Sequence, residues 1–275
     1  MNTLENEDIS NATFLKISDF LFKTTGIKLK EYKKYLVLHR LSKFVGFGRP
    51  FKNFEEYYQK LTEDKSGEIL TSFINALTTN FSFFFRESVH FDFLRHYLLE
   101  KSNEQNEFRI WSAACSTGEE PYSIAVSALQ TLPHFSKDGL KILATDISTK
   151  VLNTAHQGIY NYSKVKGHIQ DNELKKYFIF HSKQNDFHVK EDVKNMIAFR
   201  YLNLLESYPF TKYFDIVFLR NVLIYFDNQE KEIIINKIYP YIKPGGYIIL
   251  GLSESMVGIN HRFTNIKSSI YQKKL

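Results

Sequence analysis

A single cysteine, Cys115, stands among 275 residues. One thiol forms no intrachain disulfide and builds no cysteine-based zinc site. The nine histidines are scattered. None falls in HExxH or in a close His/Asp cluster, so the sequence carries no metal-hydrolase signature. Long apolar runs are missing too: none approaches the roughly 20 residues that cross a bilayer. The start, MNTLENEDIS, has neither the basic head nor the apolar core of a secretory leader. No low-complexity tract or fixed-period repeat occurs. These absences lead to the expectation of a cytoplasmic protein without metal.

What is present is globular. Apolar residues make up 43% and charged residues 24%, the balance of a soluble folded chain rather than a disordered one. The length suits one large domain or two modest ones. The net charge is +6 and the sequence pI about 9.0. A basic chain suits an acidic partner: a nucleic acid, an anionic membrane or an acidic protein surface. Charge alone does not choose among them.

Two regions read differently. Phe14, Ile17, Leu21 and Phe22 recur at helical spacing, and Gly26 follows as a C′ residue. A second helix is expected over residues 31–45, ending at GFGRP. A third starts after Asn53, a good N-cap, and carries Phe54, Tyr57, Tyr58 and Leu61. A fourth holds Ile69, Leu70, Phe73, Ile74 and Leu77. Residues 1–77 are thus expected to form an all-α N-terminal domain, and 78–107 a linker helix region.

From Phe108 short apolar strands alternate with helices. FRIWSAAC, LKILATD, IAFRYLNL, FDIVFLRN and YIILGLS read as strands, with KPGG as a turn before the last. EEPYSIAVSALQTL, STKVLNTAHQG and NQEKEIIINKIYPYI read as helices. This alternation predicts an α/β domain over 108–275, with a mostly parallel, Rossmann-like sheet covered on both faces. Residues 160–195 break the rhythm and are expected to insert a helix and a short antiparallel hairpin. The chain ends soon after YIILGLS, and no further domain is expected.

In such a sheet ligands bind at the carboxyl ends of the strands. After the first comes AACSTGEE, residues 113–120: small residues let the backbone approach a ligand, and a helix start follows. It is not GxGxxG, and Glu119 and Glu120 would repel a pyrophosphate. The plainer reading is a tight turn with acids favourable at a helix start. The second strand ends at Asp146, where nucleoside-binding folds hold ribose hydroxyls; an N-cap is the alternative. The fourth ends in RNVLIYFD, where Asn221 offers a donor and an acceptor and Tyr225 a hydroxyl. With 17 tyrosines in the chain, Tyr225 also reads as a half-buried core ring. A nucleoside with a cationic group and no phosphates fits this set, and S-adenosylmethionine has that description. Upstream, TTNFSFFFRE sets four phenylalanines among small polar residues, with Arg86 at its end.

The blocks LTTNFSFFFRE, IWSAACSTGEEPYSIA, ATDIS, FDIVFLRNVLIYFD and KPGGYIILGLSES, in this order, resemble the chemotaxis receptor glutamate methyltransferases of the CheR type over nearly the whole chain. The resemblance implies a helical N-terminal domain followed by an S-adenosylmethionine-dependent methyltransferase domain with a small inserted β-subdomain. It implies that Asn80, Ser82, Arg86, Glu120, Asp146, Asn203, Leu204, Arg220 and Asn221 line the cofactor site, with Glu119 a neighbour and S-adenosylhomocysteine the product. Arg86 and Tyr225 would stand closest to the transferred methyl. Phe81, Phe83, Phe84 and Phe85 would fasten the linker helix and wall off the methyl, at least two of them as plain packing. The acceptors would be glutamates on the helical methylation region of transmembrane chemoreceptors. Lys30, Lys33, Lys34, Arg40 and Lys43 would then be a docking face of the second helix, with Tyr32, Tyr35, Leu38 and Val45 turned inward; a solvated helix face is the alternative. Family forms that also grip a receptor-tail pentapeptide tend to carry a glycine-rich hairpin turn; HSKQNDF has no glycine, so no tail binding is expected. Neither nucleic-acid binding nor membrane insertion is expected. A nucleic-acid methyltransferase would show Asn-Pro-Pro-Tyr or a relative after the fourth strand, and RNVLIYF has no proline. A non-catalytic S-adenosylmethionine sensor would not need Arg86 and Tyr225.

Overall fold

Ser10 stands in extended backbone, and its hydroxyl accepts the Thr13 N–H at 3.0 Å, which starts helix α1 (Asn11–Thr25). Gly26, at φ 74°, ends it in the left-handed conformation that glycine reaches without strain. The computed structural model describes residues 8–104, 107–132 and 139–275. It divides into two compact units between Thr79 and Asn80.

The first unit is helical. A 3₁₀ turn (Glu31–Lys33) precedes α2 (Lys34–Leu41), where the sequence suggested one helix over 31–45. Even at 3.6 residues per turn, Tyr32 and Tyr35 lie on the face opposite Val37 and Leu41. Val37, Leu41 and Val45 face the interior, whereas Tyr32 and Tyr35, expected inside, are 67% and 68% exposed. α3 (Phe54–Glu63) begins at Asn53, whose side chain accepts the Glu56 N–H at 2.9 Å. Asp64 then collects the N–H groups of Ser66, Gly67, Ile69 and Leu70 and so opens α4 (Glu68–Leu77). Arg40 is not free on the surface. Its guanidinium donates to the carbonyls of Leu77 and Thr78 at 2.8 and 2.9 Å and caps the end of α4.

The second unit begins with residues 80–88 in turns, not in the helix expected across 78–107. Phe85 and Glu87 have φ of 55° and 57°, which a right-handed helix cannot contain. Helix α5 (Val89–Lys101) follows. Then come β1 (Phe108–Ala113), α6 (Glu119–Thr131), β2 (Leu140–Asp146) and α7 (Thr149–Gln157). The insertion holds β3 (Ile159–Asn161), α8 (Tyr162–Val165), α9 (Asp171–Tyr177), β4 (Phe178–His181), β5 (Asp186–Val189) and α10 (Glu191–Lys194). After it run β6 (Ile197–Tyr201), β7 (Phe214–Leu219), α11 (Asn228–Ile238), β8 (Ile242–Leu250), β9 (Phe263–Lys267) and β10 (Ile270–Lys273).

The main sheet has the order β6-β2-β1-β7-β8-β10-β9. It is parallel from β6 to β8, and β10 pairs antiparallel with β8 and β9. The order reverses between β1 and β7, which puts the switch point at their carboxyl ends. Side-chain alternation separates two cores: Ile110, Ile216, Phe218 and Ile249 on one face, Trp111, Val217, Leu219, Ile248 and Leu250 on the other. The insertion forms its own antiparallel sheet, β3-β5-β4, in which Asn185, at φ 54°, turns the hairpin without a glycine. Among the described residues no helix is long and apolar enough to cross a membrane, and no group of three or more His, Cys, Asp or Glu side chains is arranged to hold a metal.

KPGG is not a turn before β8 but a bulge within it. Phe214 pairs with Ile242, yet Ile216 pairs with Tyr247. Gly246 makes this possible, because a Cβ there would lie 2.8 Å from the Asp215 carbonyl oxygen. The β9–β10 hairpin has no counterpart in the sequence reading, since only Phe263 of β9 is buried and its pattern does not alternate. Gly246→Ala should lower stability by about 1–3 kcal/mol through overpacking, measured as a fall in the urea midpoint without a change in slope.

Candidate active site

The exits of β1, β2, β7 and β8 meet at one edge of the sheet. The loop after β1 is wound tightly: Ala114, Ser116 and Gly118 have φ of 63°, 51° and 94°. Asp146, at the end of β2, ties it down. One carboxylate oxygen accepts the Ser116 N–H at 2.9 Å and the other the Ser148 N–H at 2.9 Å. Gly118 admits the insertion, since a Cβ there would lie 2.8 Å from both the Tyr160 hydroxyl and Ala155 Cβ. The Tyr160 hydroxyl donates to the Thr117 carbonyl at 2.7 Å.

The two glutamates that open α6 separate in role. Glu119 is fully buried, accepts the Thr117 hydroxyl at 2.7 Å and pairs with Lys164 of α8 at 3.1 Å. It therefore braces the insertion and does not face the loop mouth as its neighbour's partner. Glu120 accepts the Ser112 hydroxyl at 2.6 Å and pairs with Arg220 at 2.8 Å.

Arg220 is the centre of the site. Its buried guanidinium forks between Glu120 and Glu87, the latter at 3.0 Å, and also donates to the Arg86 carbonyl. Glu87 further accepts the Asn221 amide at 3.2 Å and the Leu252 N–H at 3.1 Å. Burial pushes the Glu87 carboxyl up, but the Arg220 charge and these hydrogen bonds outweigh it and hold it below the usual range. Burial pushes the Asp146 carboxyl up, against the pull of the Ser148, Ser116 and Ile147 N–H groups.

Arg86 itself lies between aromatic rings. Its guanidinium is 5.8 Å from the Phe81 and Phe83 centroids and donates to the Phe81 carbonyl at 3.3 Å. Phe84 is buried edge-on against Tyr160 and Phe178, and Phe85 against Phe91. Two of the four phenylalanines are thus packing and two flank the arginine, with Phe81 72% exposed. Asn221 sits at φ 56°, and a 3₁₀ turn (Leu223–Tyr225) carries the half-buried Tyr225. Asn80 and Ser82 are half-buried on the stretch leading to Arg86. Asn203 is buried and accepts the Leu205 N–H at 3.1 Å, while the Leu204 side chain belongs to the core around Trp111.

One network therefore joins Arg86, Glu120, Arg220 and Asn221, and a second joins Asp146 to the β1 loop. Glu87, which carries the first, had no role assigned from the sequence. Glu254 is a second such residue: it accepts the N–H groups of Asn221, Gly251 and Ile224. Both lie inside motif blocks, but their partners stand 133–165 and 30–33 positions away, or across a turn, and only the fold pairs them.

These residues fit a cationic nucleoside. Three main-chain N–H groups, of Ser116, Ser148 and Ile147, engage the Asp146 carboxylate, and one of its roughly four acceptor sites is left for a ligand hydroxyl. The Ser116 hydroxyl beside it is buried without a partner. Glu87, Glu119, Glu120, Asp146 and Glu254 outnumber Arg86, Arg220 and Lys164, which suits a sulfonium and opposes a pyrophosphate.

A parallel sheet with this acidic, phosphate-averse rim and an antiparallel β8-β10-β9 edge defines an S-adenosylmethionine-dependent methyltransferase. Residues 80–272 match the family described as CheR methyltransferase, SAM binding domain, and residues 12–78 match CheR methyltransferase, all-alpha domain. The chain belongs to the CheR methyltransferase family. It is 38% identical to the chemotaxis protein methyltransferase of Borreliella burgdorferi, over 99% of this chain and 100% of that protein. It is 35% identical to the chemotaxis protein methyltransferase of Escherichia coli K12, over 96% of this chain and 91% of that one.

His90 lies under the network, fully buried, 2.8 Å from the Ser269 hydroxyl and 3.5 Å from Glu87. Burial pushes its imidazole down to about 4, Arg220 adds to the shift and Glu87 opposes it. The folded chain thus prefers neutral His90, and that stabilisation is complete above the unfolded value near 6.5. As pH falls from there toward 4, stability should drop by up to about 1.4 kcal/mol per pH unit on this account. Denaturant midpoints measured across that window should show the slope in the wild type and lose it in His90→Gln.

Proposed function

We propose that this protein methylates glutamate side chains of chemotaxis receptors and forms glutamyl methyl esters. Full-length likeness to proteins named chemotaxis protein methyltransferase carries this reading. The chemistry of the site supports it. A glutamate acceptor has a pKa near 4.3 and is ionised at neutral pH, so no general base is required. When bound, S-adenosylmethionine supplies a sulfonium methyl, which the acceptor oxygen takes as the C–S bond breaks, with no proton moved. What the chain must supply is orientation and partial exclusion of water.

Asp146 and Glu120 hold the nucleoside and its cationic arm, with Asn80, Ser82, Asn203, Leu204 and Asn221 around them. Arg86 offers a planar fork to a carboxylate, either that of the acceptor or that of the methionine moiety. Phe81 and Phe83 keep that fork in place, and Arg220 fixes its backbone. The Tyr225 hydroxyl orients the acceptor. The acceptors are on the cytoplasmic methylation helices of the receptors. Lys30, Lys33, Lys34 and Lys43 form the basic docking face, with exposed Tyr32 and Tyr35 beside them; Arg40 serves α4 instead. No receptor-tail peptide is assigned to the insertion.

Label from methyl-tritiated S-adenosylmethionine should pass to receptor-bearing membranes as base-labile, volatile counts. Arg86→Ala should reduce the rate by about 100-fold or more and Tyr225→Phe by about 3–10-fold, as orientation losses do. Wild-type rates for Arg86→Ala at saturating substrates would refute the role given to it, and counts stable to base would refute the ester. Reversing Lys30, Lys33, Lys34 and Lys43 to glutamate should raise the KM for receptor about tenfold, more at low salt than at high. Calorimetry should find S-adenosylhomocysteine affinity unchanged in that variant.

A further inference from the structure

The loop after β7 is shaped by a carboxylate that touches neither Arg86 nor Arg220. Glu254 is buried beyond the end of β8. Its Oε2 accepts the Asn221 N–H at 2.7 Å and the Gly251 N–H at 2.8 Å, and its Oε1 accepts the Ile224 N–H at 3.3 Å. Two strand exits and the 3₁₀ turn thus converge on one side chain. Asn221 needs such a hold, because its φ of 56° is strained for a residue with a side chain. Gly251 is cut to the same fit. A Cβ there would lie 2.4 Å from Asn221 Nδ2 and 2.9 Å from Glu254 Oε2. The approach of Asn221 and Glu254 therefore depends on a missing side chain.

We propose that Glu254 is a positioning residue for methyl transfer, fixing the Tyr225 ring through the main chain of Asn221 and Ile224. This deepens the reading above and rests on it for the role of Tyr225. The geometry requires a carboxylate and not an amide. The Asn221 and Gly251 N–H groups claim one oxygen, the Ile224 N–H claims the other, and the Leu223 N–H also engages the carboxylate, so each oxygen must accept. In Glu254→Gln the amide oxygen serves the two short bonds to Asn221 and Gly251. The amide NH₂ is then left against the Ile224 N–H, donor to donor, and the turn that carries Tyr225 loses its hold while Asn221 keeps its own.

The test compares full-length wild type, Glu254→Gln and Gly251→Ala. The readouts are methyl transfer to receptor-bearing membranes, S-adenosylhomocysteine affinity by calorimetry, and amide exchange over residues 221–226. Glu254→Gln should lower kcat about tenfold or more, with the KM for S-adenosylmethionine and the product affinity within about threefold, the split expected of lost orientation. Its amide exchange should rise over residues 223–225, the segment whose N–H groups Glu254 holds and the tyrosine that follows, and not elsewhere. Gly251→Ala, which displaces both partners, should lower kcat and product affinity together. Wild-type kcat in Glu254→Gln overturns the proposal. So does a fall in product affinity and unfolding midpoint in step with kcat, which is the mark of a purely structural role. If the wild type yields no base-labile methyl, the receptor reading fails. Amide exchange then still decides for Glu254: faster exchange confined to residues 223–225 supports the hold, and unchanged exchange removes it. If Glu254→Gln does not fold, Gly251→Ala must speed exchange over 221–226, and unchanged exchange there overturns the proposal.

Discussion

A buried guanidinium organises the rim of the candidate site. Removing the Arg220 cation from water costs several kcal/mol, and only close, well-aligned acceptors offset that. Glu120, Glu87 and the Arg86 carbonyl supply them. Those acceptors come from the start of α6 and from the turn before α5, while Arg220 ends β7. Satisfying one charge therefore fixes three segments of chain against each other. The strained backbone nearby follows from this. Glu87 and Asn221 sit in left-handed conformations because their side chains and carbonyl neighbours are already committed to the network. Removing Arg220 would leave two largely buried carboxylates, Glu87 and Glu120, without their shared cation, so the cluster behaves as a unit.

Much of the fold was legible because local and global signals agree. The central strand FDIVFL is buried along its whole length and the strands beside it are mostly apolar, which is what a sheet covered on both faces requires. The helices carry readable caps: Asn53 and Ser148 as N-caps, Gly26 and Gly158 as C-terminal glycines. The departures have definite causes. Residues 80–88 look helical in composition but hold two left-handed residues that composition does not reveal. KPGG looks like a turn because bulges and turns use the same residues. The β9 strand is an exposed edge, with little apolar pattern to display. Tyr32 and Tyr35 are apolar enough to suggest an inner face, but they lie across the helix from Val37 and Leu41, and it is that side which the unit buries.

The site was legible in its residue types and less so in its pairings. Asp146 and Arg86 announce themselves by their places in the motif blocks. Arg40 shows the opposite case. It shares a basic segment with four lysines, yet its planar fork is spent on two carbonyls at a helix end, a task for which an ammonium is less suited. Charge counting along a helix cannot separate a cation that meets a partner from one that closes a turn. Glu87 and Glu254 were invisible for a related reason: a carboxylate that collects main-chain N–H groups leaves no trace in the pattern of side chains.

The contact at Gly118 ties the insertion to the loop after β1. The Tyr160 hydroxyl and Ala155 fill the space that any larger residue at 118 would occupy. Tyr160 belongs to the first strand of the inserted sheet, and Lys164, four residues on, neutralises the buried Glu119. The insertion is thus a wall of the loop after β1 and not an ornament on it. A lineage that lost or exchanged this segment would bare a gap beside Gly118 and strand a buried acid. A replacement segment would need its own tyrosine hydroxyl and its own cation at these places to support the loop and neutralise Glu119.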